Sequence, residues 1–280
     1  MVSFIKKSRE EFHAALRNEI LTVDAKGVAS NADRGSKISR KIASALLDEL
    51  GDVSVATKLP GQTSGSSFEE ICANFVGRCF EKFEHLRPGE FFVRKGGQIA
   101  EFDQYAHLDD LEQLAARHPQ MATALGSDYL IKPDIVVGRH PESDDQINRT
   151  NLLVDSDTAK LTSLRSVNQS RNILHASISC KWTLRSDRAQ NARSEGLNLV
   201  RNRKGKLPHI CVVIGEPMPS RIASLALGTG DLDCVYHFAL PELMRALDKV
   251  GGDDRLEQLQ TMIDGKRLRD IADLPLDLTV

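Results

Sequence analysis

A single domain of mixed α/β (α+β) class, with a central β-sheet flanked by helices, is what three observations in this sequence predict. Residues 66–83 carry one long amphipathic helix, four separate runs have the length and side-chain character of strands, and no repeat, low-complexity tract or proline-rich linker divides the chain. The span 1–280 is therefore read as one domain, and its 41% hydrophobic residues are enough for a substantial core.

From Ser66 to Phe83 the apolar residues Phe68, Ile71, Cys72, Phe75, Val76, Cys79, Phe80 and Phe83 recur at three- and four-residue spacing, the signature of a helix with one buried face. The preceding LPGQTSG is expected to be a glycine-punctuated loop, which puts Glu69 in the first turn of the helix, at the margin of its apolar stripe. Residues 108–125 read as a second, more polar helix. YLIKPDIVVG has the β-branched content of a buried strand closed by Gly138, with Asp134 inside it. A carboxylate in that setting is costly unless something pairs with it. Residues 140–172 are polar and read as a long surface excursion.

ILHASISCKWTL then alternates. Leu174, Ala176, Ile178, Cys180, Trp182 and Leu184 fall on one parity, and His175, Ser177, Ser179, Lys181 and Thr183 on the other. After this strand Ser186 is placed to cap a helix running to about Arg201, on which Arg188 and Glu195 share a face. HICVVIGEP and CVYHFAL read as two further strands, and residues 241–264 as helical. His175, His209 and His237, in or beside strands, are expected to be satisfied core histidines, and Trp182 a core residue. LGTGD has glycines but no following GK[ST], so a phosphate-binding loop is not expected.

The formal net charge of −2 hides a basic window. Residues 181–206 hold Lys181, Arg185, Arg188, Arg193, Arg201, Arg203, Lys204 and Lys206 against only Asp187 and Glu195. Such a patch can meet nucleic acid even where the whole chain has no basic field. The cysteines, Cys72, Cys79, Cys180, Cys211 and Cys234, are odd in number, form no CxxC pair and sit among apolar neighbours, which suits a reducing cytoplasm. No apolar run approaches the roughly 18 residues of a membrane span, so a cytoplasmic location and no membrane partner are expected.

Four features converge: an aspartate after a proline, a lysine on the polar face of a strand, a glutamate two helical turns further on, and arginines between. Carboxylates collected near one lysine suit a hard divalent cation such as Mg²⁺ and the chemistry of phosphodiester hydrolysis. By itself the pattern is also that of a turn aspartate and a surface lysine.

The order Pro133-Asp134, Ser179-Cys180-Lys181 and Glu195 resembles the rearranged active site of the PD-(D/E)XK type II restriction endonucleases that cut within CCGG sequences. Those enzymes lack the acid two positions before the lysine; here that position is Ser179, and Glu195 takes the place of the missing carboxylate. RSDR at 185–188 is similar to the element with which the family reads its CCGG core. The likeness continues through LPGQTSG, GSDYLIKPDI, HASISCKWT, RAQNARSEGLNLVRNRKG, PSRI, ALGTG and DCVYHFAL, most of the chain.

The resemblance implies a restriction-endonuclease-like core and a Mg²⁺-dependent enzyme with two ions per active site. It casts Asp134 as central metal ligand, Lys181 as catalytic lysine, Glu195 as the relocated acid, Glu69 as a further carboxylate, Ser179 as a lining residue and the Cys180 carbonyl as a ligand to metal. For Glu69 a charge favourable to a helix N-terminus is the competing explanation, and Glu70 is the neighbour most easily mistaken for it. Arg185 and Arg188 can each donate twice to guanine, and Asp187 can accept from cytosine N4. Asp33, Gln62 and Arg221 are implied for the outer base pair. The expected substrate is duplex DNA at GCCGGC, cut as G/CCGGC with four-base 5′ overhangs by a homotetramer that is a dimer of dimers, with a cognate methyltransferase acting on the same site. A structure-selective repair nuclease of the same fold and an inactive sequence-specific DNA-binding protein are the alternatives.

Overall fold

The computed structural model describes residues 2–51, 61–118, 120, 123, 131–228 and 230–280. The architecture is built around β3 (Ile173–Lys181), which lies in the interior of a mixed sheet that is six-stranded among the described residues. Its neighbours are β2 (Ile135–Arg139), antiparallel, and β4 (His209–Ile214), parallel. β1 (Phe91–Lys95) extends the sheet antiparallel beyond β2, and β5 (Cys234–His237) and β6 (Leu268–Asp270) extend it in parallel beyond β4. Strand order follows chain order. β1 and β6, short edge strands, have no counterpart in the sequence reading.

Parallel neighbours need crossovers, and helices supply them. α6 (Ser186–Asn202) joins β3 to β4, α7 (Pro219–Ala226) joins β4 to β5, and α8 (Leu240–Val250) and α9 (Asp253–Asp264) join β5 to β6. The helical run read over 241–264 is thus two helices, because Gly251 takes a left-handed φ of 70° that ends the first of them. On the N-terminal side α1 (Phe4–Glu19) and α2 (Lys37–Leu50) precede α3 (Gly61–Phe80), and α4 (His107–Arg117) covers the first part of the second predicted helix.

α3 packs on β1 and β3. Phe68 lies 5.1 Å from Trp182 between ring centroids, and Phe80 lies 6.1 Å from His175. The helix begins at Gly61, earlier than its apolar stripe implied, so GQTSG is its first turn and not a loop. Tertiary burial of Ser64 and Phe68 outweighs the roughly 1 kcal/mol by which each glycine disfavours a helix. Glu69 consequently lies beyond the first turn, and the helix-terminus explanation for it no longer holds. The Leu59-Pro60 part of that predicted loop, Tyr129 and Leu130 of the predicted strand, and most of the second predicted helix beyond His118 lie outside the described residues.

Two more expectations are corrected. Asp134 stands one residue before β2 rather than inside a strand, with its side chain 22% exposed, and Gly138 lies within the strand, which runs on to Arg139. Both parities of β3 are buried, including His175, Ser177 and Ser179, because an interior strand is covered on both faces. Opposite Val137 and Gly138 the register shifts so that β3 has His175 as an extra residue, and this bulge lets His175 meet Phe80 and Phe91. α6 starts at Ser186 with Arg185, not Ser186, at the cap position.

Two of the three histidines behave as core residues: His175 Nε2 lies 2.7 Å from the Leu278 carbonyl, and His237 is fully buried with Nε2 3.2 Å from the Glu216 carbonyl, whereas His209 is half-buried. Trp182 is buried, and all five cysteines are buried and free. The 140–172 excursion is ordered by its own contacts. α5 (Asp144–Ile147) begins with a Ser143 capping box, and the buried Arg165 meets Asp144 through Nη2 at 2.6 Å. No helix among the described residues is long and apolar enough to cross a membrane. α10 (Leu274–Asp277) closes the chain.

Candidate active site

β3 ends where β2 begins, because the two are antiparallel, so Ser179, Cys180 and Lys181 arrive beside Asp134. Asp134 Oδ2 accepts from the Cys180 N–H at 2.7 Å, lies 2.9 Å from Lys181 Nζ and 3.1 Å from Ser179 Oγ. Ser179 Oγ also stands 3.4 Å from Glu195 Oε2, which α6 brings back over the strand end. The Cys180 side chain faces the interior, and its N–H is the group that meets Asp134. Three elements therefore share one polar corner: the Pro133-Asp134 approach to β2, the end of β3, and the middle of the helix that follows it, α6.

Charge in this corner is unbalanced. Burial opposes the Lys181 ammonium, but Asp134 and Glu195 outweigh it and hold its pKa above the ordinary lysine value. Burial pushes the Glu195 carboxyl up, Lys181 opposes the rise and Asp134 adds to it. Glu69, half-buried on α3, is likewise raised by burial and by the charge of Asp134. Its side chain is 24% exposed, whereas that of Glu70 is 56% exposed, so Glu69 is the one that faces the corner. Lys95, at the end of β1, lies 3.8 Å from Glu69 and 3.7 Å from Glu70 and donates to the Ser66 carbonyl at 2.7 Å. Sequence reasoning missed Lys95, and no local signal marks it, since only the β1–β2 pairing puts it there.

The donors suit a hard divalent cation in kind: carboxylate oxygens, raised by burial and mutual repulsion, with too little positive charge beside them. They do not close into a cage in this structure. Among the described residues no three His, Cys, Asp or Glu side chains converge as a metal group, and Lys181 Nζ stands against Asp134.

Beyond Lys181 the chain turns through Thr183 into α6. Arg188 Nη1 donates to Thr183 Oγ1 at 2.9 Å, while Arg185 and Asp187 are exposed. Gly61 at the start of α3 comes close to Arg188, since a Cβ added there would lie 3.7 Å from Nη2, and Gln62 beside it is exposed. Arg221 on α7 pairs with Asp33 through Nη2 and lies 3.6 Å from Glu216 through Nη1. The Arg221 hydrogen bond, with the Gly35 amide, holds the Asp33 carboxyl below the ordinary range, and the charge of Arg185 adds to this. The structure thus gathers Asp33, Arg185 and Arg221 in one group and Gln62 and Arg188 in another. Glu216 and Asn31 were missed. A glutamate closing the apolar run HICVVI is the same kind of signal as Asp134, a carboxylate where burial must be compensated.

Comparison with known proteins gives the class of a chain so built: a type II restriction endonuclease, a nuclease that binds DNA. The chain belongs to the NgoMIV restriction enzyme family, whose model matches residues 12–280. It is 54% identical over 280 residues to the type II restriction enzyme NgoMIV of Neisseria gonorrhoeae, covering 98% of each chain. A solved structure, the type IIF restriction endonuclease Bse634I with cognate DNA, superposes with a TM-score of 0.41 and 17% identity over 70% of this chain and 79% of that one.

Proposed function

We propose that this enzyme hydrolyses both strands of duplex DNA at GCCGGC, cutting as G/CCGGC to leave four-base 5′ overhangs, and that it depends on Mg²⁺. The observation that carries the reading is the Asp134 carboxylate, held by the Cys180 N–H, Lys181 and Ser179 and linked through Ser179 to Glu195. Asp134, Glu195, Glu69 and the Cys180 carbonyl would hold the metal, two ions per site. Mg²⁺ when bound supplies a Lewis acid for the scissile phosphate and lowers the pKa of a bound water. Lys181, kept as an ammonium by its carboxylate neighbours, donates to a phosphate oxygen or to the attacking water as charge develops. Ser179 holds Asp134 and Glu195 at a fixed separation.

Arg185 and Arg188 read the guanines of the CCGG core, and Asp187 a cytosine; each good contact discriminates by about 1–3 kcal/mol. Asp33, Gln62 and Arg221 read the outer pair. A palindromic site favours a two-fold symmetric dimer. The 140–172 excursion supports the further step to a homotetramer, a dimer of dimers. It is pinned by Arg165 yet leaves Leu152, Leu153, Leu161 and Val167 outward, Leu161 being 98% exposed. The DNA-bound protein acts in the cytoplasm, where a methyltransferase protects the same site.

Digestion of a plasmid with Mg²⁺, followed by sequencing of the ends, tests the reading. Discrete cuts at G/CCGGC are expected. Cuts that follow DNA junctions rather than sequence would point to a repair nuclease, and site-specific binding without cleavage to a DNA-binding protein.

A further inference from the structure

Two segments that carry the proposed readers meet at one buried carboxylate, and a third docks on the residue before it. Glu216, just past β4, is fully buried. Its Oε2 accepts from the Leu184 N–H at 2.9 Å, and its Oε1 accepts from the Met218 N–H at 3.2 Å. Leu184 immediately precedes Arg185, and Met218 caps the helix that bears Arg221, whose Nη1 lies 3.6 Å from Oε2. The third segment arrives through Asn31, two residues before Asp33, whose Nδ2 donates to the Gly215 carbonyl at 2.9 Å. Gly215 permits this convergence, because a Cβ there would lie 2.7 Å from the Trp182 carbonyl and 2.5 Å from its ring.

We propose that Glu216 is a positioning residue that couples the reading of the outer base pair, by Arg221 and Asp33, to the reading of the CCGG core, by Arg185 and Arg188. The inference rests on the assignment of those four residues as readers. A buried carboxylate stripped of its cation is strongly disfavoured, so its neighbours move to compensate. Arg221 is the cation beside Glu216. An outer base pair that draws Arg221 out of place leaves the carboxylate on two neutral amides, one of which leads directly into Arg185. A wrong outer pair therefore loosens the core contacts as well as its own.

The test is a cycle of binding measurements on the full chain, with Ca²⁺ replacing Mg²⁺ so that the duplex stays intact. The four duplexes contain GCCGGC, ACCGGT, GCTAGC and ACTAGT. For the unaltered protein the loss on changing both pairs should be about tenfold smaller than the product of the two single losses. In Glu216→Gln, whose amide has only one acceptor oxygen for two N–H groups, the losses should become multiplicative and the penalty for ACCGGT should shrink. Multiplicative losses in the unaltered protein overturn the coupling, and so does non-additivity that survives intact in Glu216→Gln. Should the glutamine variant fail to fold by circular dichroism, Asn31→Ala, which releases the Gly215 carbonyl, takes its place with the same expected result and the same refutation. Equal binding of GCCGGC and ACCGGT by the unaltered protein is a different failure, since it removes the outer-pair readers themselves and the inference with them.

Discussion

Around Lys181 the ammonium faces Asp134 and Glu195, with Glu69 adding its charge from α3 and Lys95 only partly offsetting it, while around Arg221 the guanidinium stands between Asp33 and Glu216 with Arg185 close by. Burial pushes Glu69, Glu195 and Glu216 up alike, but the neighbouring charges differ: Asp134 raises Glu69 and Glu195 further, whereas Arg221 opposes the rise in Glu216 and draws Asp33 down. The first corner holds negative charge that its own residues do not balance, as a site for a cation does. The second pairs its charges within the protein, so Asp33 and Arg221 are already placed before any ligand arrives, as their proposed role in base reading requires.

Both corners rest on Phe68, which is fully buried and packs on Trp182, between Lys181 and Thr183. Phe68→Ala is expected to cost about 3–5 kcal/mol of stability and to impair cleavage and recognition together. Chemical denaturation measures the first effect, and a variant that lost only one activity would show that the corners do not share this support. Lys181→Ala should lower cleavage by about 10²–10³-fold while site-specific binding persists. A cleavage assay run beside a gel shift decides, and normal cleavage would remove Lys181 from its role. Arg188→Ala should do the reverse, weakening binding by about 1–3 kcal/mol and relaxing discrimination at the central G·C pairs. Unchanged discrimination there would take Arg188 out of the reader set.

Acid should affect the fold before it affects these assignments. Burial holds His175 down to about 3 and His237 to about 4, from 6.5. Burial opposes the Glu242 charge, but Arg9 more than offsets it and holds the carboxyl at about 2, from 4.5. The unfolded chain therefore takes up protons first in all three cases. Stability from the histidines is complete above about pH 6.5 and is lost as pH falls toward 3, and the Glu242 contribution is lost between 4.5 and 2. The thermal midpoint should decline steadily below pH 6.5. A midpoint independent of pH from 7 to 4 would contradict this burial account.

Much of the corner around Lys181 was legible because its signals are local. Ser179, Cys180 and Lys181 lie in one alternating strand, Asp134 follows a proline beside a β-branched run, and Glu195 is on the helix that comes next. The corner around Arg221 was legible only as residue types capable of the proposed base reading. Its hub, Glu216, and its third strut, Asn31, touch partners far away in sequence, the Leu184 and Met218 amides and the Gly215 carbonyl. Lys95 is of the same kind, and so are the short edge strands β1 and β6, too brief to show a period.

Periodicity and residue chemistry in the sequence alone determined the mixed class of the fold, the long helix under the sheet, the interior strands and the choice between the two faces of Ile173–Lys181 for polar groups. Tertiary structure alone decided that both of those faces are covered, that α3 begins as early as Gly61, and that Leu184 and Arg221 converge at Glu216 with Asp33 held on Arg221. The physical reason is range. A hydrophobic period is written in neighbouring residues, whereas the balance of charge in a buried corner depends on which distant segments the sheet brings together.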